Sequence, residues 1–272
     1  MSNPEIANSI NTGGYNTNYH DIGEGEVVLF IHGSGPGVSV YANWRLAMPT
    51  LAQNFRVIAP DMAGFGYTQR IEDATYNMDV WVKQAIDLMD ALNIEKFNIV
   101  GNSFGGALAL ALTIKYPERL NKVVLMGAMG IDFELTAGLD QAWGYTPSLE
   151  NMRSLLDTFA YSRVLVTDEL AQMRYEASIR EGFQESFGSM FPSPRQSSVS
   201  AMASKEEDIK AIDKEVLIIH GRDDKVIPFE NSTRLHSLIE KSQLHGFGQC
   251  GHWSQIEHKD RFNKLLEDFF LV

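Results

Sequence analysis

One serine sits inside five residues, Gly101-Asn102-Ser103-Phe104-Gly105, that join a short β-rich apolar run to an apolar helical one. Phe97 to Val100 reads as a buried strand, and Phe104 to Tyr116 as a helix stopped before Pro117. A chain passing from strand to helix in so few residues must turn sharply. G-x-S-x-G makes that turn while holding its serine strained above a sheet. The flanking glycines are required because a Cβ there would meet neighbouring backbone. The free amides of the helix N-terminus then face any negative charge that develops beside the serine. The pentapeptide alone could be a glycine-rich turn of no consequence; the strand before it and the helix after it argue otherwise.

Such a turn belongs at the edge of a largely parallel sheet, and the rest of the chain supplies one. Val27 to Ile31, Arg56 to Ala59, Lys122 to Met126 and Val216 to Ile219 are further short apolar runs closed by glycine, proline or a polar residue. Between them lies a helix near Asp79 to Leu92, and the C-terminal segment sets Phe262, Leu265, Leu266, Phe269 and Phe270 on one helical face. The expected class is therefore α/β, a mainly parallel sheet covered by helices. The alternation stops between about Asp132 and Glu207. Two amphipathic helices are expected there, one after Pro147 with Met152, Leu155, Leu156 and Phe159 aligned, the other N-capped by Thr167. Residues 132–207 are read as a helical cap inserted into a core made of 1–131 and 208–272. A separate C-terminal domain is the weaker reading, because so short a remainder holds too little core.

Composition limits what such a fold could serve. With 23 basic against 35 acidic side chains the net charge is −12, and no basic cluster offers a surface for nucleic acid. That field repels anions at long range, so an anionic substrate would need a local positive anchor. The first basic residue is Arg45, so no secretory n-region is expected, and the apolar run Ala107 to Ile114 is too short to span a bilayer. A single cysteine, Cys250, excludes an internal disulfide. A cytoplasmic protein is expected, with order beyond about the first dozen residues.

A serine hydroxyl needs a base within hydrogen-bond reach. Of seven histidines, His32 and His220 end strands and suit structural roles; His20, His236 and His258 lie in polar surface-like segments, and His245 lies inside a strand. His252 stands in the loop Gly248-Gln249-Cys250-Gly251-His252-Trp253, before the last helix. The acid is expected between serine and histidine, after the strand Val216 to Ile219. Asp223 and Asp224 are adjacent there, and neighbours in an extended loop point opposite ways. The spacing from Gly221 to Pro228 selects Asp224. Two backbone amides are needed for an oxyanion, that of Phe104 and one from His32-Gly33-Ser34-Gly35-Pro36-Gly37, with Ser34 the expected donor. The latter loop superficially suits a dinucleotide, but Val38 stands where the third glycine of G-x-G-x-x-G would fall, and Pro36 lacks an amide.

Together, the loop His32 to Gly37, the turn Gly101 to Gly106 and Gly251-His252-Trp253 resemble the meta-cleavage product hydrolases of the α/β-hydrolase superfamily, most closely the 2-hydroxymuconic semialdehyde hydrolase branch. The resemblance extends through Trp143-Gly144-Tyr145-Thr146-Pro147 and Met190-Phe191-Pro192. It implies hydrolysis of a carbon–carbon bond in a 2-hydroxy-6-oxohexa-2,4-dienoate, without cofactor or metal, by a homo-oligomer. It also implies that Arg180 pairs with the substrate carboxylate and that Asn43, Asn102 and Trp253 surround the dienoate. Met129, Leu139, Trp143, Val226 and Ile227 would line the pocket for the C6 substituent, with Met129 and Trp143 favouring hydrogen or a short alkyl group. A carboxylesterase, a hydrolase for phenyl-substituted substrates and a ligand-binding receptor of the same fold are the alternatives. A halogen or epoxide substrate is disfavoured, because relatives acting on those carry aspartate at the position of Ser103.

Overall fold

The computed structural model describes residues 3–12 and 14–272. Eight strands form one sheet: β1 (Asn8–Thr12), β2 (Tyr15–Ile22), β3 (Val27–Ile31), β4 (Arg56–Pro60), β5 (Phe97–Asn102), β6 (Leu120–Met126), β7 (Glu215–Gly221) and β8 (Ser242–Phe247). Their spatial order is β1-β2-β4-β3-β5-β6-β7-β8. β2 pairs antiparallel with β1 and β4, and every pairing from β4 through β8 is parallel.

The strand interiors read as unbroken apolar runs because both faces of the sheet are covered. Val27, Leu29 and Ile31 point into one core, whereas Val28 and Phe30 point into the other. On the first side lie the helices Met78–Ala91 and Phe104–Lys115, with Trp81 meeting Phe104 edge to face at 4.7 Å. On the second side the helix Lys259–Leu271 inserts Phe262, Leu266 and Phe270, with Phe262 stacked on Trp44.

Every described element between β6 and β7 is helical apart from connecting turns. The helix expected after Pro147 spans Leu149–Phe159, and Ser148 rather than proline caps it by accepting from the Asn151 amide. The helix Asp168–Ser178 is capped by Thr167 as its sequence predicts. Ala137–Trp143, Phe183–Met190, Gln196–Ala201 and Glu206–Lys210 are additional, all too short to show a periodic stripe. The last of them straddles the boundary expected at 207/208. β7 lies in register beside β6, so the chain re-enters the same sheet after the insertion.

The hairpin β1–β2 was not foreseen, and it buries His20, a residue whose polar neighbours suggest the surface. Its ring stacks on Tyr41 at 5.5 Å.

Candidate active site

The loops leaving the C-terminal ends of β3, β5, β6 and β7 converge at one edge of the sheet, where open α/β sheets place their ligands. There Ser103 has φ 53° and ψ −112°, a left-handed conformation that a non-glycine residue adopts only under constraint. The turn holds because a Cβ on Gly101 would run into the Gly105 carbonyl, and one on Gly105 would meet the Ile31 carbonyl at 2.5 Å. The Ser103 amide donates to Met126 O and its carbonyl accepts from Met129 N, tying the serine to the end of β6 and to the loop after it.

His252 and Asp224 meet as the sequence predicts. Nδ1 of His252 donates to Asp224 Oδ2 at 2.6 Å, which leaves Nε2 as the ring's free nitrogen. Asp224 Oδ1 accepts from the amides of Val226 and Ile227, and Oδ2 accepts from His220 Nε2 at 3.0 Å. Burial alone would raise the Asp224 carboxyl, but the His252 and His220 imidazoles hold it well below the usual carboxylate range. His220 was expected only to close a strand. Its other nitrogen bonds Ser232 Oγ at 2.7 Å, so it also anchors the acid. Asp223 points away, accepting from the Cys250 amide at 3.3 Å. Burial pushes the Cys250 thiol up to about 12, so it is no rival nucleophile.

Ser103 and His252 face a common cavity of about 360 Å³, a size suited to a small organic ligand. Ser34, Asn43, Asn102, Arg180 and Trp253 line it, as do Leu139 and Val226. Asn43 Oδ1 holds the Gly33 amide at 2.7 Å, and Trp143 Nε1 donates to Ser34 Oγ at 3.0 Å, so the loop after β3 is braced from two sides. Among the described residues the amides of Ser34 and Phe104 donate to no other group, as oxyanion donors must.

Met129, Trp143 and Ile227, the other three residues expected at the substituent pocket, are buried at 0%, 2% and 0% exposure and do not border this cavity directly. Met129 is held there by its amide bond to Ser103 O, and Trp143 by a parallel stack on Phe191 with centroids 4.3 Å apart. The apolar wall is instead Leu139 and Val226 together with Met152, Leu155, Leu156 and Phe159, the face of Leu149–Phe159 whose stripe reads as ordinary core.

Arg180 reaches the cavity but in company that sequence reasoning missed. Arg45 and Arg174 line it too, and Glu5 pairs with Arg180 at 3.4 Å. Nothing local in the sequence brings residue 5 to the end of the helix Asp168–Ser178. Among the described residues no cluster of three or more histidine, cysteine or acidic side chains could hold a metal ion, and no helix is long and apolar enough to cross a membrane.

A strained serine and an imidazole facing one cavity, with a carboxylate orienting the imidazole and free amides at Ser34 and Phe104, are suited to nucleophilic acyl chemistry. Comparison with known proteins agrees with that class. Residues 26–259 match the family described as alpha/beta hydrolase fold. The chain is 57% identical over 269 residues to the 2-hydroxymuconate semialdehyde hydrolase of Pseudomonas sp. strain CF600, covering 99% of this chain and 95% of that one. It is 56% identical to the 2-hydroxy-6-oxo-2,4-heptadienoate hydrolase of Pseudomonas putida, over 98% of this chain and 97% of the other. Identity is 36% with the 2-hydroxy-6-oxo-6-phenylhexa-2,4-dienoate hydrolase of Burkholderia cepacia, over 92% and 89%. Among solved structures, a variant of the meta-cleavage product hydrolase CumD from Pseudomonas fluorescens IP01, complexed with acetates, superposes with a TM-score of 0.98 at 61% identity over 98% of both chains. The chain belongs to the α/β-hydrolase family and, within it, to the meta-cleavage product hydrolases.

Proposed function

We propose that this enzyme hydrolyses the C5–C6 bond of 2-hydroxy-6-oxohexa-2,4-dienoates carrying hydrogen or a short alkyl group at C6. The products are 2-hydroxypenta-2,4-dienoate and a carboxylic acid, or formate from the semialdehyde. The observation that carries the reading is whole-chain identity of 56–57% to hydrolases named for the semialdehyde and the heptadienoate, against 36% to one named for the phenyl compound. The site adds a chemical reason. A chain of net charge −12 places three guanidiniums, of Arg45, Arg174 and Arg180, around one cavity with an apolar wall, which suits an anion with an apolar tail.

Ser103, His252 and Asp224 act as the triad in this reading. A proton first moves from the 2-hydroxyl to C5, with His252 managing the transfer. Ser103 Oγ then adds to the C6 carbonyl while His252 takes its proton, and the amides of Ser34 and Phe104 receive the oxyanion. Collapse breaks C5–C6, the electron pair passing into the dienolate, and water releases the acyl group from Ser103. Arg180 holds the carboxylate, with Asn43, Asn102 and Trp253 along the dienoate. Residues 132–207 serve as a cap closing over the sheet edge. The single buried Cys250 suits work in the cytoplasm. Steady-state kcat/KM on ring-fission products with hydrogen, methyl, isopropyl and phenyl at C6 tests the proposal. The first two should be preferred, and the best dienoate should exceed p-nitrophenyl esters. A reversed order would make the protein an esterase or a phenyl-compound hydrolase.

A further inference from the structure

Arg180, the guanidinium that the proposed function assigns to the substrate carboxylate, already faces a carboxylate. Nη1 of Arg180 lies 3.4 Å from Glu5 Oε2, with the two side chains 34% and 18% exposed, and both residues line the cavity. Glu5 is not a loose terminus swinging past. Its carbonyl accepts from Asn18 Nδ2 at 2.9 Å, its amide donates to Asn3 Oδ1 at 3.0 Å, and the Ala7 amide donates to Asn18 Oδ1 at 3.0 Å. Asn18 Nδ2 also reaches the buried carboxylate of Asp61, and Asn3 Nδ2 donates to the Tyr67 hydroxyl. The backbone of the segment 3–7 is thus fastened to β2 and to the loop after β4. Among the described residues the Glu5 carboxylate itself has Arg180 as its one partner.

The other charges at the cavity make that pairing consequential. Arg174 spends one donor on Pro36 O at 3.0 Å. Burial acts to lower its pKa; Glu5 works to raise it, and Arg180 and Arg45 work to lower it, so Arg174 feels the charges of all three. Three cations and one built-in anion therefore share a small region. An incoming carboxylate meets Arg180 only by taking the place of Glu5 or by crowding beside it, and a neutral ligand meets no such competition.

We infer that Glu5 is a specificity-determining residue: its carboxylate occupies Arg180 in the free protein where the carboxylate of a ligand goes, and binding exchanges one ion pair for the other. The inference rests on the assignment of Arg180 above, and it makes Glu5 a competitor that weakens carboxylate binding without touching the reacting carbon. Removing its charge should tighten anions selectively.

The test uses benzoate as a simple carboxylate inhibitor of p-nitrophenyl acetate hydrolysis, alongside the dienoate itself. Glu5→Gln keeps the side-chain length and the backbone ties. Benzoate inhibition and dienoate KM should each improve about three- to fivefold, the size of a partly exposed ion pair, while the KM of the neutral ester moves less than twofold. In an Arg180→Gln background Glu5→Gln should bring no gain, because the competed site is gone. Glu5→Asp, which keeps the charge and withdraws it by one methylene, should fall between wild type and Glu5→Gln. Weaker benzoate inhibition in Glu5→Gln would overturn the inference, making Glu5 a support that orients Arg180. So would a gain that persists without Arg180. Improved benzoate inhibition in an enzyme that turns over no dienoate would uphold the ion-pair exchange and remove the proposed substrate.

Discussion

Asp223 and Asp224 are chemically identical neighbours, and only their surroundings separate them. Asp224 accepts four hydrogen bonds, from two imidazoles and two backbone amides, with no exposed side-chain surface. Asp223 is a third exposed and accepts from the Cys250 amide. Asn in place of Asp224 would present an amide NH₂ to at least one of those donors and favour the wrong tautomer of His252. We expect Asp224→Asn to lower kcat by about 10⁴ and Asp223→Asn to stay within a few-fold of wild type; dead Asp223→Asn with active Asp224→Asn would reverse the assignment. Met129 poses the opposite lesson. On sequence it belongs to the substituent pocket, where alanine would widen substrate range; in the fold its side chain is fully buried in the core. Met129→Ala should therefore cost about 2–5 kcal/mol of stability, as core truncations do. Leu139→Ala, on the cavity wall, is the change expected to raise relative kcat/KM for isopropyl and phenyl substrates. Denaturant melts with kinetics on the four dienoates separate the two effects, and a selectivity change in Met129→Ala with unaltered stability would contradict them.

Elements differ in how openly the sequence declares them, and the reason is burial. Strands covered on both faces appear as continuous apolar runs, which is why β3 to β7 could be placed within a few residues. β1 and β2 are rich in Asn, Thr and Tyr and pair antiparallel at the sheet's end, so they carry no such run. In the insertion, the stripe of Leu149–Phe159 was visible, but periodicity cannot tell whether an apolar face meets core or an open cavity. The positive-φ turn at Ser103 and the pairing of Asp224 with His252 were legible because their chain order and flanking strands can be read from the sequence. Glu5 and Arg174 were not, since only tertiary folding brings them to Arg180. The insertion also supports the site mechanically, through Trp143 at the end of Ala137–Trp143, whose indole donates to Ser34 Oγ. Trp143→Phe preserves the ring that stacks on Phe191 and deletes the donor. If that bond fixes the oxyanion loop, kcat should fall about tenfold, less than loss of an oxyanion donor outright, with KM little changed. Ser34→Ala should reproduce the loss, and the double variant should add nothing further. Additive losses would mean that the two residues act separately.

Across the whole molecule, two buried ionisable groups pull stability in opposite directions as pH falls. Burial drives His32 down to about 4, against the opposing bond from Nδ1 to Gly33 O, and its neutral Nε2 accepts from the Met62 amide at 3.0 Å. Asp61 is driven up by burial to about 6, against the bonds it accepts from Tyr67 N, Val40 N and Asn18 Nδ2. For His32 the folded value lies below the unfolded 6.5, so its contribution is present above pH 6.5 and is lost as pH falls toward 4. For Asp61 the folded value lies above the unfolded 3.8, so its contribution is full below pH 3.8 and is lost as pH rises through 6. Between pH 6 and 4 acid therefore weakens the fold at His32 and strengthens it at Asp61, each by roughly 2–3 kcal/mol. Asp224, held well below the usual range, contributes throughout that window and loses its contribution only in stronger acid. The wild-type melting temperature should accordingly change little from pH 6 to 4.5. His32→Gln can keep an acceptor for the Met62 amide and cannot titrate, so the Asp61 gain is no longer opposed by His32 and is countered only by His20 and His245, which burial also lowers. Its melting temperature, whatever its value at pH 7, should rise by several degrees as pH falls from 6 to 4.5, at about 2–4 °C per kcal/mol for a chain of this size. Calorimetry of both proteins at pH 7, 6, 5 and 4.5 decides the matter, and parallel curves for variant and wild type would show that His32 carries no part of the acid response.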